Sequence, residues 1–231
     1  MSEFRFKQFT IRHDHSSMKV GTDAVLLGAW ASAVDGSRIL DIGTGCGIVA
    51  LMMAQRFPHA QTLGIDIDES SIQEATDNTL SSPFASRLEM RVADIRTFVP
   101  PTTFDCIVCN PPYFTEDTLP PDARRSRARN TDALSFEELI SAVCRCLAPN
   151  GTFHVVLPSW EIDRFCSICL IQSLHLTRRM DVQTTPRKAP KRTLLTFSTT
   201  TSSLQRDTLV LQDLNGSRTE AYQALAGDFY L

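Results

Sequence analysis

The sequence predicts an α/β fold in which a largely parallel sheet has helices on both faces. From about Arg38 onward, short apolar runs typical of buried strands alternate with segments of helical periodicity. The stretch "LDIGTGCGI" (40–48) places a glycine-rich turn where the first strand run passes into the first helical pattern. The 231 residues, 42% of them hydrophobic, suffice for one such domain with a buried core.

The elements follow from these patterns in chain order. Strands are predicted at 38–42, 62–66, 87–94, 104–110, 152–158, 175–183 and 192–199. Helices are predicted at 47–57, 70–78, 134–149 and 160–170, with Pro149-Asn150-Gly151 ending the third of them. We expect one domain over 1–231, with an N-terminal extension (1–35), a core (36–200) and a C-terminal tail (201–231) packed on that core.

Composition narrows the setting of the protein. The formal net charge of −3 gives no global indication of nucleic acid, so any such partner must meet local basic patches. No apolar run approaches the ~18–20 residues of a membrane span, and the polar start "MSEFRFKQ" is unlike a signal peptide. Seven cysteines without framework spacing suit a reducing compartment. These features predict a cytoplasmic protein without a membrane partner, and a monomer is favoured.

The glycine turn indicates a nucleotide-like ligand. Gly43, Gly45 and Gly47 allow a tight turn and close approach of the backbone to a ligand. A dinucleotide fingerprint would need a glycine at position 48, where this chain has Ile48. The acidic-x-Gly-x-Gly-x-Gly pattern that begins at Asp41 is instead the one associated with S-adenosyl-L-methionine. Asp41 is expected to meet the ammonium group of that ligand.

Two further strand ends support a nucleoside cofactor. Asp66 ends the second strand, about 20 residues after the glycines, where a carboxylate can accept both ribose hydroxyls. Asp94 ends the third strand and is placed to contact an adenine amino group. Ile67 and Ile95 are the neighbouring cofactor-binding candidates, with Ile95 as an apolar wall. Turn glycines and capping aspartates are common singly, but three such elements at successive strand ends favour a cofactor site.

The cysteine and histidine spacings do not predict a metal site. On a strand, Cys106 and Cys109 point to opposite faces, so they cannot easily chelate one ion. Cys166 and Cys169 share a helical face but have no implied partner, whereas zinc requires four ligands. The "HDH" at 13–15 alternates if extended. Buried core thiols are the better interpretation.

The stretch "NPPY" (110–113) follows the strand that carries the first cysteine pair. Pro111 and Pro112 fix the backbone, while Asn110 offers an amide oxygen and Tyr113 a flat face for stacking. Acceptors on Asn110 and on the Pro111 carbonyl would draw the lone pair of an aromatic amine out of conjugation and hold it for methyl transfer. A proline turn that merely ends the strand is the alternative. Beside the glycine loop, catalysis is favoured.

Together these motifs resemble class I S-adenosylmethionine methyltransferases that modify amines. The segments 6–30, "PKRTLLTF" (190–197) and "YQALAGDFYL" (222–231) extend the likeness to the bacterial family that N6-methylates adenosine 37 of a valine tRNA. The resemblance implies a Rossmann-like sheet of seven strands with the last one antiparallel. It also implies that Asn110 contacts the cofactor, and that Lys19, Gly21 and Thr22 in the N-terminal extension lie over its methionine end.

Two basic segments are the candidates for RNA contact. The long loop after "NPPYF" contains Arg124, Arg125, Arg127 and Arg129. The Pro-rich segment 184–193 contains Arg187, Lys188, Lys191 and Arg192. Charge runs are often only solvated surface, but one of these adjoins the proposed catalytic strand end in a chain of negative net charge. They favour a nucleic-acid partner, which the resemblance implies is tRNA.

Two other functions remain open at this point. A glutamine-amide N5-methyltransferase acting on a protein such as a release factor would use the same residues, 110–113, to orient a planar amide. A tRNA-binding module without turnover would keep the fold, but it has no need of an intact "NPPY".

Overall fold

A computed structural model describes residues 3–14, 20–111 and 134–231. The described chain begins with an antiparallel hairpin of β1 (Glu3–Arg5) and β2 (Thr10–Arg12). Alternating strands and helices follow, in the order that the apolar periodicity of the sequence predicts.

The bounds of the later elements are as follows. The strands are β3 (Arg38–Ile42), β4 (Gln61–Asp66), β5 (Leu88–Val92), β6 (Phe104–Cys109), β7 (Leu147–Pro158), β8 (His175–Gln183), β9 (Arg192–Ser198) and β10 (Gln205–Val210). The helices are α1 (Thr22–Trp30), α2 (Ile48–Arg56), α3 (Glu69–Leu80), α4 (Phe136–Cys146), α5 (Ile162–Ile171) and α6 (Glu220–Ala226). Short 3-10 turns span Ala85–Arg87 and Ser159–Glu161.

Within the described residues, the main sheet has eight strands in the order β10-β8-β9-β7-β6-β3-β4-β5. Among these, β9 alone is antiparallel to its neighbours, which confirms the prediction of a mostly parallel sheet with one antiparallel strand. The eighth strand, β10, adds to the predicted seven and comes from the C-terminal tail. All the parallel strands end on the same side of the sheet, hereafter the carboxyl edge.

The turn from α4 into β7 differs from the prediction. The helix ends at Cys146 and β7 begins at Leu147, before the Pro149-Asn150-Gly151 stretch that was expected to end the helix. Phe104 pairs with Leu147, but Cys106 pairs with Thr152, so β7 bulges between these contacts. Asn150 takes a φ of 62° within the bulge, a conformation that asparagine tolerates.

Two apolar layers cover the two faces of the sheet. One contains side chains of α1, α2 and α6, and the other contains those of α4 and α5. Cys106 belongs to the first layer and Cys109 to the second, as alternation along a strand requires. Burial raises the pKa of Cys106 to about 12. The residues with described positions contain no group of three or more His, Cys, Asp or Glu that could hold a metal ion.

The N- and C-terminal segments pack together. The backbone N–H of Lys7 donates to the Phe229 carbonyl at 2.8 Å, and its ammonium donates to the Gly227 carbonyl at 2.7 Å. The Phe6 and Tyr230 rings stack with centroids 6.1 Å apart. Each segment thus covers apolar surface of the other. No helix in the described part of the chain is long and apolar enough to cross a membrane.

Candidate active site

The carboxyl edge brings the predicted site residues together. In register, Ile42 lies beside Ile65 on one side and Cys109 on the other, and Asp66 lies beside Val92. The residues that follow these strand ends therefore stand side by side. They are the glycine turn after β3, Asp66 at the end of β4, Asp94 after β5, and Asn110 after β6.

The glycine turn has a conformation that requires glycine. Gly43, Gly45 and Gly47 have φ values of 69°, 53° and 84°, in the left-handed region. A Cβ on Gly43 or Gly45 would meet no described protein atom within 4 Å, so backbone conformation rather than crowding excludes larger residues there. A Cβ on Gly47 would stand 3.3 Å from that of Ala75. The turn is tied to β4 because Gly43 donates its N–H to Ile65 at 2.9 Å.

Asp41 is buried beneath the glycine turn. Its Oδ2 accepts from the Thr44 hydroxyl at 2.7 Å and from the Ala50 N–H at 3.2 Å. Only 1% of the residue is exposed, and burial raises the pKa of its carboxyl to about 7. The carboxylate therefore holds the turn onto the start of α2. Its expected contact with a ligand ammonium stays a prediction.

Asp66 lies at the open side of the turn. One carboxylate oxygen accepts from the Gly45 N–H and the other from the Asp68 N–H, both at 3.0 Å. The next side chain, Ile67, is 61% exposed, which is unusual for isoleucine. A carboxylate held by backbone donors and an exposed apolar side chain thus adjoin each other at the edge.

Asp94 forms an ion pair that the sequence reasoning missed. The Arg96 Nε lies 2.9 Å from both carboxylate oxygens, and the Arg96 Nη2 lies 2.7 Å from Oδ2. Hydrogen bonding to Arg96 lowers the pKa of Asp94 below its ordinary value. Ile95 is buried against the α4 and α5 layer, so it supports this loop from within.

Arg145 on α4 holds the same loop. Its guanidinium donates to the carbonyls of Ile95 at 2.6 Å, Phe98 at 3.0 Å and Arg96 at 3.2 Å. The sequence signal for this role is weak, consisting of one arginine in the otherwise apolar stretch "ISAVCRCLAP". Three hydrogen bonds from one guanidinium hold the loop that carries Asp94 in position.

The chain continues from β6 directly into residues 110–113, which we call the predicted amine clamp. Asn110 is half-buried and Pro111 is buried. Pro112 and Tyr113, which complete the motif, lie outside the described residues, as do Lys19, Arg124, Arg125, Arg127 and Arg129. Gly21 and Thr22 open helix α1, and the Gly21 carbonyl accepts from the Val25 N–H at 3.3 Å.

The second basic segment also reaches the carboxyl edge, because the antiparallel strand β9 starts there. Arg187, Lys188 and Lys191 are exposed. Arg192 is less exposed, and its Nε donates to the Asp23 carboxylate at 2.7 Å. This ion pair joins the start of β9 to the first turn of α1. The segment thus presents cations beside the N-terminal extension.

A buried asparagine connects the N-terminal hairpin to the glycine turn. The Asn78 side-chain oxygen accepts from the Arg12 N–H, and its amide donates to the carbonyls of Arg12 and Cys46, all at 2.9 Å. Nearby, Glu74 accepts from the Asp14 N–H at 2.6 Å. Helix α3 therefore positions residues 12–14 against the turn, a link that local sequence patterns do not reveal.

Comparison with known proteins identifies close relatives. The family model described as "methyltransferase small domain" matches residues 15–161. A tRNA1(Val) (adenine(37)-N6)-methyltransferase from Bacteroides thetaiotaomicron is 42% identical over 229 residues, which cover 99% of this chain and 97% of the relative. An enzyme of the same name from Pseudoalteromonas translucida is 39% identical over 231 residues, covering 100% and 99%.

Solved structures resemble this one at lower identity. The crystal structure of a predicted O-methyltransferase from Agrobacterium tumefaciens superposes with a TM-score of 0.71 at 18% identity, covering 90% of this chain and 96% of that one. A TehB-like SAM-dependent methyltransferase from Corynebacterium glutamicum gives a TM-score of 0.51 at 19% identity, covering 79% and 89%. These likenesses confirm the predicted fold class.

Proposed function

The chain belongs to the family of tRNA1(Val) (adenine(37)-N6)-methyltransferases, and we propose that it transfers a methyl group from S-adenosylmethionine to the N6 amine of adenosine 37 in a valine tRNA. The observation that carries this proposal is 42% identity over 99% of the chain with a relative of that name. The carboxyl-edge arrangement supports the same chemistry, because cofactor and amine candidates stand on neighbouring strand ends. Neither of the two relatives described above is named for a protein glutamine as substrate.

The residues present fit S-adenosylmethionine. The left-handed turn at Gly43 and Gly45 has no Cβ to obstruct a ligand, and the Asp66 carboxylate stands beside it. We assign the ribose hydroxyls to Asp66, an apolar face of adenine to the exposed Ile67, and its amino group to Asp94. Lys19, Gly21 and Thr22 are assigned to the methionine end. When bound, the cofactor supplies an electrophilic methyl group on a sulfonium.

The protein would act on the amine by orienting it. The Asn110 amide oxygen and the Pro111 carbonyl would each accept a hydrogen bond from one N–H of the amine, which draws the nitrogen lone pair out of conjugation with the ring. The same acceptors stabilise the positive charge that develops on nitrogen. Pro112 keeps this backbone rigid and Tyr113 stacks on the base. No strong base is required, since the proton leaves after transfer.

The tRNA would lie across the carboxyl edge. Arg187, Lys188 and Lys191 are exposed there and can meet phosphates, and the four arginines of the loop after Tyr113 are assigned the same role. Arg192 would act through its ion pair with Asp23, which positions the start of α1. A base in an anticodon loop is already unpaired, so turning it into the site costs less than from a duplex.

One assay separates the candidate functions. The protein is incubated with labelled S-adenosylmethionine and, separately, unmodified valine tRNA, the same tRNA with adenosine 37 replaced by guanosine, duplex DNA, and release factor. We expect label on the first tRNA alone, recovered as N6-methyladenosine after digestion. Label on release factor only would overturn the proposal. Normal cofactor binding without label on any substrate would favour a tRNA-binding module.

A further inference from the structure

A cavity opens on the carboxyl edge, beyond the ends of β8 and β10. Its volume is about 390 Å³, within the range of small-molecule sites. The side chains important here are those of Phe4, Thr184, Gln212, Arg218, Tyr222 and Tyr230. Strand β8 stands three places from β6 in the sheet, which separates the cavity from Asn110 by roughly 14 Å at about 4.8 Å per strand. The cavity is therefore distinct from the amine clamp.

The cavity contains a planar cation laid on an aromatic ring. The Arg218 guanidinium stands 4.3 Å from the centroid of the Tyr230 ring and 5.8 Å from that of Tyr222. Arg218 is exposed, so part of its side chain is accessible to a ligand. Tyr230 is backed by Phe6, whose ring stacks on it at 6.1 Å. Phe6 therefore supports the ring that Arg218 contacts before any ligand arrives, which favours a preformed stacking surface.

Polar groups accompany the planar surface. The Tyr222 and Tyr230 hydroxyl oxygens lie 3.1 Å apart, and one proton suffices for that bond, which leaves the second to be donated to a ligand. Thr184 and Gln212 add a hydroxyl and an amide at the rim. A stacking plane with hydrogen-bonding groups at its margin is how proteins bind unpaired bases.

The surroundings supply the charge that RNA requires. Thr184 is the first residue of the basic segment, so Arg187, Lys188 and Lys191 continue from the rim of the cavity. Val20 and Gly21, at the start of α1, form the wall on the side of the cofactor residues. The exposed cations, on the connection from β8 to β9, thus lie between the cavity and the site of methyl transfer after β6.

We propose that this cavity binds a second unpaired base of the same RNA loop as the methylated adenosine, and that Arg218 stacks on that base. The inference rests on the proposed function, because it presumes an RNA substrate. Two bases held roughly 14 Å apart would fix the register of the loop on the enzyme. The cavity would then help to determine which adenosine reaches Asn110.

The test is a double-mutant cycle read from binding. Anticodon stem-loop RNAs are prepared in which each loop nucleotide other than adenosine 37 is replaced, one at a time, by an abasic residue. Dissociation constants are measured for wild type, Arg218→Ala, Arg218→Lys and Arg206→Ala. Arg206 is an exposed arginine at the opposite end of β10, so its variant controls for the loss of one charge. Melting temperatures and S-adenosylmethionine affinities check that each variant is folded.

We expect Arg218→Ala to weaken binding of the intact RNA about 5- to 100-fold, the range for loss of one stacked base. Arg218→Lys should lose a similar amount, because an ammonium keeps the charge but not the plane. One of the abasic RNAs should bind to wild type more weakly than intact RNA does. The same abasic RNA should bind to Arg218→Ala as tightly as intact RNA binds to that variant. Arg206→Ala should behave as wild type.

Two results would overturn the proposal. Equal abasic penalties in wild type and Arg218→Ala at every loop position would mean that no base contacts Arg218. Full affinity in Arg218→Lys would make the residue a phosphate contact only. Because the coupling is read from binding, it is obtained whether or not the RNA is methylated. Binding with coupling but without methylation would refute the proposed function and leave the cavity assignment standing.

Discussion

The backbone N–H of Gly45 donates a hydrogen bond to the Asp66 carboxylate at 3.0 Å. This bond joins the turn after β3 to the end of β4, so two of the proposed cofactor contacts are mechanically linked. A change at Asp66 should therefore remove a proposed ligand contact and loosen the turn at the same time.

Removal of this carboxylate should weaken cofactor binding. We expect Asp66→Ala to raise the dissociation constant for S-adenosylmethionine about 10- to 100-fold, because hydrogen bonds to a charged acceptor contribute about 1.5–3 kcal/mol each. Isothermal titration calorimetry measures the change. Asp77→Ala, an exposed carboxylate on α3, is the matched control and should bind normally. Equal affinity in both variants would remove Asp66 from the cofactor site.

The amine clamp predicts a different pattern for Asn110. Asn110→Ala should lower kcat about 100- to 1000-fold, since losing one donor or acceptor that acts in the transition state has effects of that order. The affinity for S-adenosylmethionine should change less than about threefold. Single-turnover methylation and calorimetry give the two values, with Asn215→Ala, a turn residue, as control. Substantial turnover by Asn110→Ala would show that the amine is positioned otherwise.

Asp41 should make the protein less stable as pH rises. Its folded pKa, about 7, stands above the value near 4 of an unfolded aspartate, so the folded state retains a proton that the unfolded state loses. The free energy of unfolding should therefore fall from about pH 4 to 7 and level off above that range. Between pH 5 and 8 the fall due to Asp41 is on the order of 2 kcal/mol.

Urea unfolding of wild type and Asp41→Asn at pH 5 and 8 isolates this contribution. The asparagine oxygen can still accept from Thr44 and Ala50, so the substitution removes the titration and keeps the acceptor. An identical pH dependence of wild type and variant would contradict the raised pKa of Asp41.

Arg145 should affect both stability and cofactor affinity. Arg145→Ala leaves the carbonyls of residues 95, 96 and 98 without their donor, and we expect the free energy of unfolding to fall by about 2 kcal/mol. S-adenosylmethionine should bind more weakly because Asp94 loses its support. Arg164→Ala, an exposed arginine on α5, should change neither quantity appreciably. A destabilised variant with unchanged affinity for S-adenosylmethionine would show that this loop does not contribute to cofactor binding.

The basic segment should contribute through charge alone. Arg187→Ala and Lys188→Ala should each weaken RNA binding on all sequences and reduce the slope of log affinity against log salt by about 0.7–0.9. Filter binding at several salt concentrations gives the slope, with Arg206→Ala as control. An unchanged slope would mean that these cations do not contact phosphate.

The sequence predicts most of the fold because its strands are short, apolar and clearly bounded. The runs at 38–42 and 175–183 coincide with β3 and β8. Strand β10 escapes prediction, since "QRDTLV" lies at the sheet edge and buries little beyond Leu209. The end of α4 was misplaced because a bulge, which depends on pairing with β6, starts the next strand early.

Only part of the candidate site can be predicted from the sequence. The glycines and Asp66 can be identified because strand ends fix their neighbours. Arg145 and Asn78 cannot, because their partners lie 47 and 66 residues away and no local pattern marks such contacts. Arg218 escapes for the same reason, since the cavity that it borders is assembled from both ends of the chain.

The contacts between residues 6–7 and 227–230 can form only late in translation. Lys7 and Gly227 are 220 residues apart, a separation that takes roughly 11–44 s to translate at about 5–20 residues per second. During that interval the ring of Phe6 has no Tyr230 to stack on. The N-terminal hairpin thus lacks these contacts until residues 227–230 have been synthesised.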